Sequence, residues 1–170
     1  VGRRGETTEE CQALITPLVE DRGMLRIRLL AALGQMKALD GVDVDQTAVS
    51  GYCFGGLCAL DMARVNAPLR GVVAFHSLFG TTEERDGDIE PKVLALQGFD
   101  DPMADADSQR AFAEEMTARK ADWQMHLYGG VAHAFTNQGA NDPSLGLRYD
   151  VNADSRSWVS FETFLAELFG

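Results

Sequence analysis

The side chains in this sequence best suited to chemistry are a cysteine, a pair of aspartates and a histidine, in that order along the chain. Cys53 stands in "SGYCFGGLCALDMA", Ser50 to Ala63. The G-x-C-x-G within it is the thiol counterpart of G-x-S-x-G, in which a nucleophile rides a tight turn from strand to helix. Such a turn needs small neighbours, here Gly51 and Gly55, and Gly56 lets the helix approach the sheet. The helix N-terminus sets unpaired N–H groups and a partial positive charge beside the sulfur. That environment lowers a thiol pKa from its free value of about 8.5. It also makes the Phe54 N–H an oxyanion donor. A nucleophilic thiol needs a base, and the base needs a carboxylate to orient it. "GGVAHAFTN" supplies His133, and "QGFDDPM" supplies Asp100 and Asp101. The chemistry open to such a set is acyl transfer through a thioester.

Each residue also has a plainer reading. Cysteine is among the most buried residue types, so Cys53 is alternatively a small core residue in a glycine-rich turn. His133 is alternatively a surface-loop histidine. Cys58, one turn into the same helix with no special backbone, reads as core, and Cys11 carries no role. His76 ends the strand after the elbow helix; it competes as base but reads better as a pocket-lining or core histidine. His126 falls inside a strand and reads as structural. No Cys/His spacing fits a zinc site, and no cofactor is implied.

The elements that would position these groups follow from periodicity. Leu25, Leu29, Leu33 and Met36 form one apolar stripe on a helix over about 24–39, stopped by Gly41. A short strand, Thr47–Tyr52, leads into a helix from Gly55 to Arg64, with Leu57, Leu60, Asp61 and Arg64 at helical spacing. Arg70–His76 and Lys92–Gly98 are continuous apolar runs, read as strands buried on both faces. The polar stretch "GTTEERDGDIEP" between them is a loop. Asp107 or Ser108 caps a helix to about Lys120 whose inner face carries Phe112 and Met116. Trp123–Tyr128 is a fourth strand, followed by a long loop from Gly129 to about Asn152. A last helix, near Ser155 to Phe169, has Trp158, Phe161, Leu165 and Leu168 on one stripe. This order describes an α/β chain with a mainly parallel sheet flanked by helices. In such sheets active residues gather at the carboxyl ends of the strands. Cys53, His76, the two aspartates and His133 all fall there.

Composition bounds the rest. The 170 residues are 45% apolar, enough for one domain with a real core and too many for disorder. The net charge of −11, with lysines and arginines scattered, argues against nucleic acid or an anionic membrane surface as partner. No apolar run approaches the ~20 residues of a membrane helix. "VGRRGETTEE" lacks the apolar region of a signal peptide. Three cysteines suit a reducing cytoplasm better than a disulfide framework.

The order nucleophile, acid, histidine is that of α/β-hydrolases. More closely, the chain resembles the dienelactone hydrolase family. "GYCFGG" resembles its cysteine elbow, "LQGFDDPM" its acid loop and "GGVAHAFTN" its histidine loop, a match running from about Val42 to the C-terminus. The resemblance implies an α/β-hydrolase fold spanning 1–170 as a single domain and a triad of Cys53, Asp101 and His133. Counted from Gly98, the family's acid is the third residue on, which selects Asp101 over Asp100. It further implies Phe54 as oxyanion donor, Tyr52, His76, Phe135 and Asn137 around the substrate, and a small-molecule ester or lactone as substrate. Asn137 stands where members that bind a dienelactone carboxylate carry an arginine, which argues against the dienelactone itself. Members also carry several strands before the elbow, which supply a second oxyanion N–H. Here only a helix is read there, so the chain is taken as the C-terminal portion of that fold. The strand into Cys53 would then lie at an exposed edge, which favours self-association. Two other readings stand beside the enzyme: a non-catalytic hydrolase-fold binding module, and a redox-sensing thiol.

Overall fold

The structure, a computed structural model, describes residues 2–80 and 87–170. Residues 81–86 of the polar loop "GTTEERDGDIEP" lie outside the described residues. The chain divides into two compact units, 1–42 and 43–170.

The first unit holds two helices, α1 (Thr8–Glu20) and α2 (Arg22–Lys37). Helix α1 is absent from the sequence reading, although Cys11, Leu14, Ile15 and Leu18 fall at helical spacing in it; its acidic first turn and Pro17 mask that stripe. Its other signal is the cap: the Thr7 hydroxyl accepts from the Glu10 N–H at 3.2 Å. Asp21 closes α1 and opens α2, accepting from the Met24 N–H at 2.8 Å. The stripe on α2 is as read, with Leu25 and Leu33 buried and Leu29 and Met36 half-buried.

The second unit runs β1 (Ala48–Tyr52), α3 (Phe54–Arg64), β2 (Gly71–Phe75), β3 (Lys92–Gly98), α4 (Ala106–Ala118), β4 (Trp123–Tyr128), a short antiparallel pair β5 (Asn141–Asp142) and β6 (Leu147–Arg148), and α5 (Val151–Phe169). The sheet is parallel throughout, in the order β1-β2-β3-β4. Among the described residues β1 pairs with β2 alone, so the strand that carries Cys53 sits at an edge of this sheet.

Alternation along the inner strands sorts the core onto two faces. Val72, Ala74, Val93 and Ala95 pack with Leu60, Ala63, Phe112 and Met116 from α3 and α4. Val73, Phe75, Leu94 and Leu96 pack with Phe164 and Leu168 of α5. Fully burying one such large apolar side chain stabilises by about 1.5–3 kcal/mol, so this α/β/α sandwich holds the strand ends rigidly. The Asp61 and Arg64 that share the helical stripe of α3 are buried too. Arg64 makes a two-pronged bond to Glu115 of α4, at 2.9 and 2.7 Å, and a longer one to Asp61 at 3.3 Å. A buried charge persists only with such partners.

Three sequence expectations move. Helix α4 is capped by Asp105, not by Asp107 or Ser108, because the Asp105 carboxylate accepts from the Ser108 N–H at 2.9 Å. Helix α5 starts four residues early, because Asp150 caps it through the N–H groups of Asn152 and Ala153. Its buried face is Ala153, Ser157, Phe164 and Leu168, with Phe161 and Leu165 half-buried, and Trp158 is turned outward at 48% exposure. The segment 129–150 is not a plain loop, since β5, a 3-10 turn and β6 fold back inside it.

Candidate active site

The elbow forms at the end of β1. Cys53 takes φ 53° and ψ −118°, a conformation L-residues rarely adopt, and its N–H bonds the Phe75 carbonyl at 3.0 Å. Gly51 makes the turn possible: a Cβ there would lie 2.0 Å from the Gly55 carbonyl oxygen. Gly56 is needed as well, because its Cβ would meet Ser77 at 2.8 Å. Gly55 is different. A Cβ on it would meet nothing, so its smallness is not what the turn requires. The N–H groups of Gly56 and Leu57 return to the Cys53 carbonyl, at 3.0 and 3.2 Å. The Phe54 N–H is left beside the sulfur, where it favours the thiolate.

The acid loop is built by β3 and the turn that follows. Asp101 is 1% exposed, whereas Asp100 is exposed, which separates the two aspartates. Asp101 Oδ2 accepts from His133 Nδ1 at 2.7 Å and Oδ1 from the Met103 N–H at 2.8 Å. The histidine loop is clamped between its neighbours. The His133 N–H donates to the Gly146 carbonyl at 2.9 Å, and the Arg148 N–H donates to the His133 carbonyl at 3.1 Å. Gly98 permits the close approach of this loop to β3, since a Cβ there would lie 2.4 Å from the Val131 carbonyl oxygen. Gly146, at φ 70°, lies against Pro102, so the β5–β6 segment also braces the acid loop.

The electrostatics follow from burial opposed by partners. Burial pushes the His133 pKa down, but the bond to Asp101 and the interaction with Cys53 outweigh it and raise it to about 9. Burial pushes the Cys53 thiol up, but His133 and the Phe54 N–H hold it below its usual value. Both directions favour a thiolate–imidazolium pair. His133 Nε2 is buried without an aligned hydrogen bond, although the thiol is near enough to perturb it. Hydrogen bonds between a base and its nucleophile commonly become well aligned only in the complex with substrate.

The residues assigned to the substrate wall separate. Tyr52 is 42% exposed and stacks on Phe75. His76 is buried, has φ 34°, holds Thr136 Oγ1 at 2.8 Å through Nε2, and stands edge-on to His133 with ring centres 5.1 Å apart. Burial and then the neighbouring His133 lower its pKa to about 4, so it is neutral. Phe135 is 0% exposed and packs with Val131 and Ala153, so its ring is core and not an open wall. Asn137 is exposed, and its carbonyl oxygen is occupied by the Gly139 N–H at 3.0 Å. Cys58 is half-buried, Cys11 exposed, and the three cysteines form no disulfide. His126 bonds Ser160 at 3.1 Å and stays apart from the site. An open cleft of about 390 Å³ beside Tyr149, Asp154 and Trp158 holds none of the three reactive groups. Among the described residues no group of side chains is arranged to hold a metal, and no helix is long and apolar enough to cross a membrane.

Sequence reasoning missed Gln97, whose amide bonds Asp101 Oδ2 at 2.6 Å. The signal was available: it is a polar residue in an otherwise apolar buried strand.

Comparison with known proteins agrees with this fold. The model of the dienelactone hydrolase family matches residues 2–169. The uncharacterized protein K02A2.1 of Caenorhabditis elegans is 37% identical over 161 residues, covering 89% of this chain and 99% of that protein. The crystal structure of a dienelactone hydrolase-like promiscuous phosphotriesterase from metagenomic libraries is 36% identical, with TM-score 0.87 over 94% of this chain and 67% of that one. A structure described as m3DLH is 33% identical, with TM-score 0.92 over 99% of this chain and 71% of that one.

Proposed function

Because this chain belongs to the dienelactone hydrolase family, and its fold is that of a hydrolase, we propose that it cleaves small carboxylic esters or lactones through Cys53, His133 and Asp101. The observation that carries the proposal is the bonded line from Asp101 through buried His133 toward the thiol of Cys53 on its strained turn. The Cys53 thiolate attacks the carbonyl carbon. The Phe54 N–H receives the developing oxyanion. The oxyanion collapses, His133 gives its proton to the leaving alcohol, and a thioester remains. His133 then takes a proton from water, which attacks the thioester and releases the acid and the thiolate. Asp101 holds the imidazole in one tautomer and stabilises its charged form throughout. No cofactor enters the cycle. The absence of disulfides fits a reducing cytoplasm as the place of work.

The test is turnover of p-nitrophenyl acetate, a lactone panel and, given the similar phosphotriesterase, an aryl dialkyl phosphate. Wild type is compared with Cys53→Ala and His133→Ala, and iodoacetamide labelling is followed by mass spectrometry. Ester turnover lost in both variants, with label on Cys53, is the expected result. A folded protein with no turnover and an inert Cys53 would overturn it in favour of a binding module.

A further inference from the structure

A strand buried on both faces is normally an unbroken apolar run. Among its buried positions strand β3 breaks that rule once, at Gln97, which has 0% exposure. A buried carboxamide costs stability unless both its ends are bonded. Both are. Gln97 Oε1 accepts the Ser77 backbone N–H at 2.8 Å, and Nε2 donates to Asp101 Oδ2 at 2.6 Å. Only this orientation of the amide makes both contacts donor to acceptor. Oδ2 is also the oxygen that His133 Nδ1 holds. Ser77 is the residue after His76 and packs where a Gly56 Cβ would be.

We propose that Gln97 is a positioning residue for the acid–base pair, tying the ends of β2 and β3 together and fixing the rotation of the Asp101 carboxylate toward His133. This rests on the triad reading above. A carboxylate torsion is broad and roughly two-fold. The Met103 N–H anchors Oδ1, and Gln97 anchors Oδ2, the oxygen that also bonds His133. A glutamine serving the core alone would spend its amide on backbone groups.

Gln97→Glu separates positioning from packing. It keeps the shape. When protonated, its O–H donates to Asp101 as the amide does, and its other oxygen still accepts from Ser77. When ionised, it repels Asp101 and offers no donor. Burial beside a carboxylate raises its pKa, so the change falls within reach of an assay. Gln97→Leu keeps most of the volume and removes the bridge at every pH. It also serves where the charged variant does not fold.

The expected result is kcat for p-nitrophenyl acetate close to wild type in Gln97→Glu near about pH 6 and down by about tenfold or more near about pH 9, with KM little changed. Gln97→Leu is down by about 10- to 100-fold at both. In the same samples, NMR titration of the His133 imidazole gains a second inflection in Gln97→Glu where kcat drops. A Gln97→Glu to wild-type ratio that is constant with pH, superposable His133 titrations, or wild-type kcat in Gln97→Leu would overturn the proposal. Absence of Cys53-dependent turnover in wild type would instead sink the hydrolase reading, and the His133 titration would still decide the role of Gln97.

Discussion

The two ends of the parallel sheet each hold residues other than glycine at positive φ, and they use them differently. At the amino end, Asn66 at 51° and Lys120 at 48° follow the C-caps of α3 and α4. Both are exposed, and both do what a left-handed residue after a helix commonly does: they stop it. At the carboxyl end, Cys53, His76 and Ala134 carry φ values of 53°, 34° and 57°. None of these follows a helix. Cys53 opens one, His76 ends β2 against His133, and Ala134 directly follows His133. The same sign of φ is helix punctuation at one end of the sheet and shapes the candidate site at the other. Strain of ~1–3 kcal/mol per residue persists only where surrounding structure over-determines it. Here the sandwich core supplies that constraint.

The largest effect that would break the comparison lies at the carboxyl end. Asp101→Asn should lower kcat/KM for an activated ester by about 10³- to 10⁴-fold, because the histidine loses its tautomer. Asp100→Asn should leave it within about twofold, because that side chain is exposed. Equal losses in the two variants would show that burial does not select the acid.

Next in size is the turn itself. Gly51→Ala drives a methyl into the Gly55 carbonyl. Urea unfolding should show a loss of about 3 kcal/mol, with Cys53 no longer labelled fast by iodoacetamide. Gly55→Ala, which meets nothing, should cost far less.

Of similar size is the acid response of His76. The unfolded chain protonates this ring near about pH 6.5, whereas the fold does so only near about 4. Between those values the unfolded chain binds the extra proton, so stability falls as pH falls. Comparing pH 7 with pH 4, His76→Gln should gain about 3 kcal/mol on wild type. His133 has the opposite sign. Its pKa is raised to about 9, so its contribution is present below about 6.5 and lost as pH climbs through about 9. Parallel stability curves for wild type and His76→Gln would refute the assignment.

The smallest effect belongs to the amino end. Lys120→Gly relieves a left-handed L-residue and should raise stability by about 0.5–1 kcal/mol with ester turnover unchanged. Thermal melting at several scan rates, beside a kinetic assay, reads both. A change in turnover would mean that the two ends are not independent.

Much of this molecule is legible residue by residue. All four strands are read, β3 and β4 at their observed bounds; β2 and β3 are the clearest, because a strand buried on both faces leaves an apolar run. Cys53, the aspartate pair and His133 are picked out by their small neighbours and their order, and the family resemblance then selects Asp101 from the pair. Helix α1 was not picked out, although the Thr7 cap and the spacing of Cys11, Leu14, Ile15 and Leu18 both mark it, because its acidic first turn and Pro17 read as a polar segment. The starts of α4 and α5 were misplaced because each helix has several acidic or hydroxyl residues near its N-terminus, and only backbone geometry selects Asp105 and Asp150.

Residue types and their spacing pointed to the residues that could react, to the order in which they meet the strand ends, and to the burial of β2 and β3. These are properties of side-chain type and period, which are local. The bond to His133 gives the physical reason for Asp101, which the family resemblance selects over Asp100; tertiary structure alone decided that Phe135 is core, that the β5–β6 segment clamps the histidine, and that Gln97 bonds the Asp101 carboxylate. Those depend on rotation about one carboxylate and on approaches of a few ångströms between residues up to 32 positions apart in the chain. No local period encodes such distances; the packing of the sheet sets them.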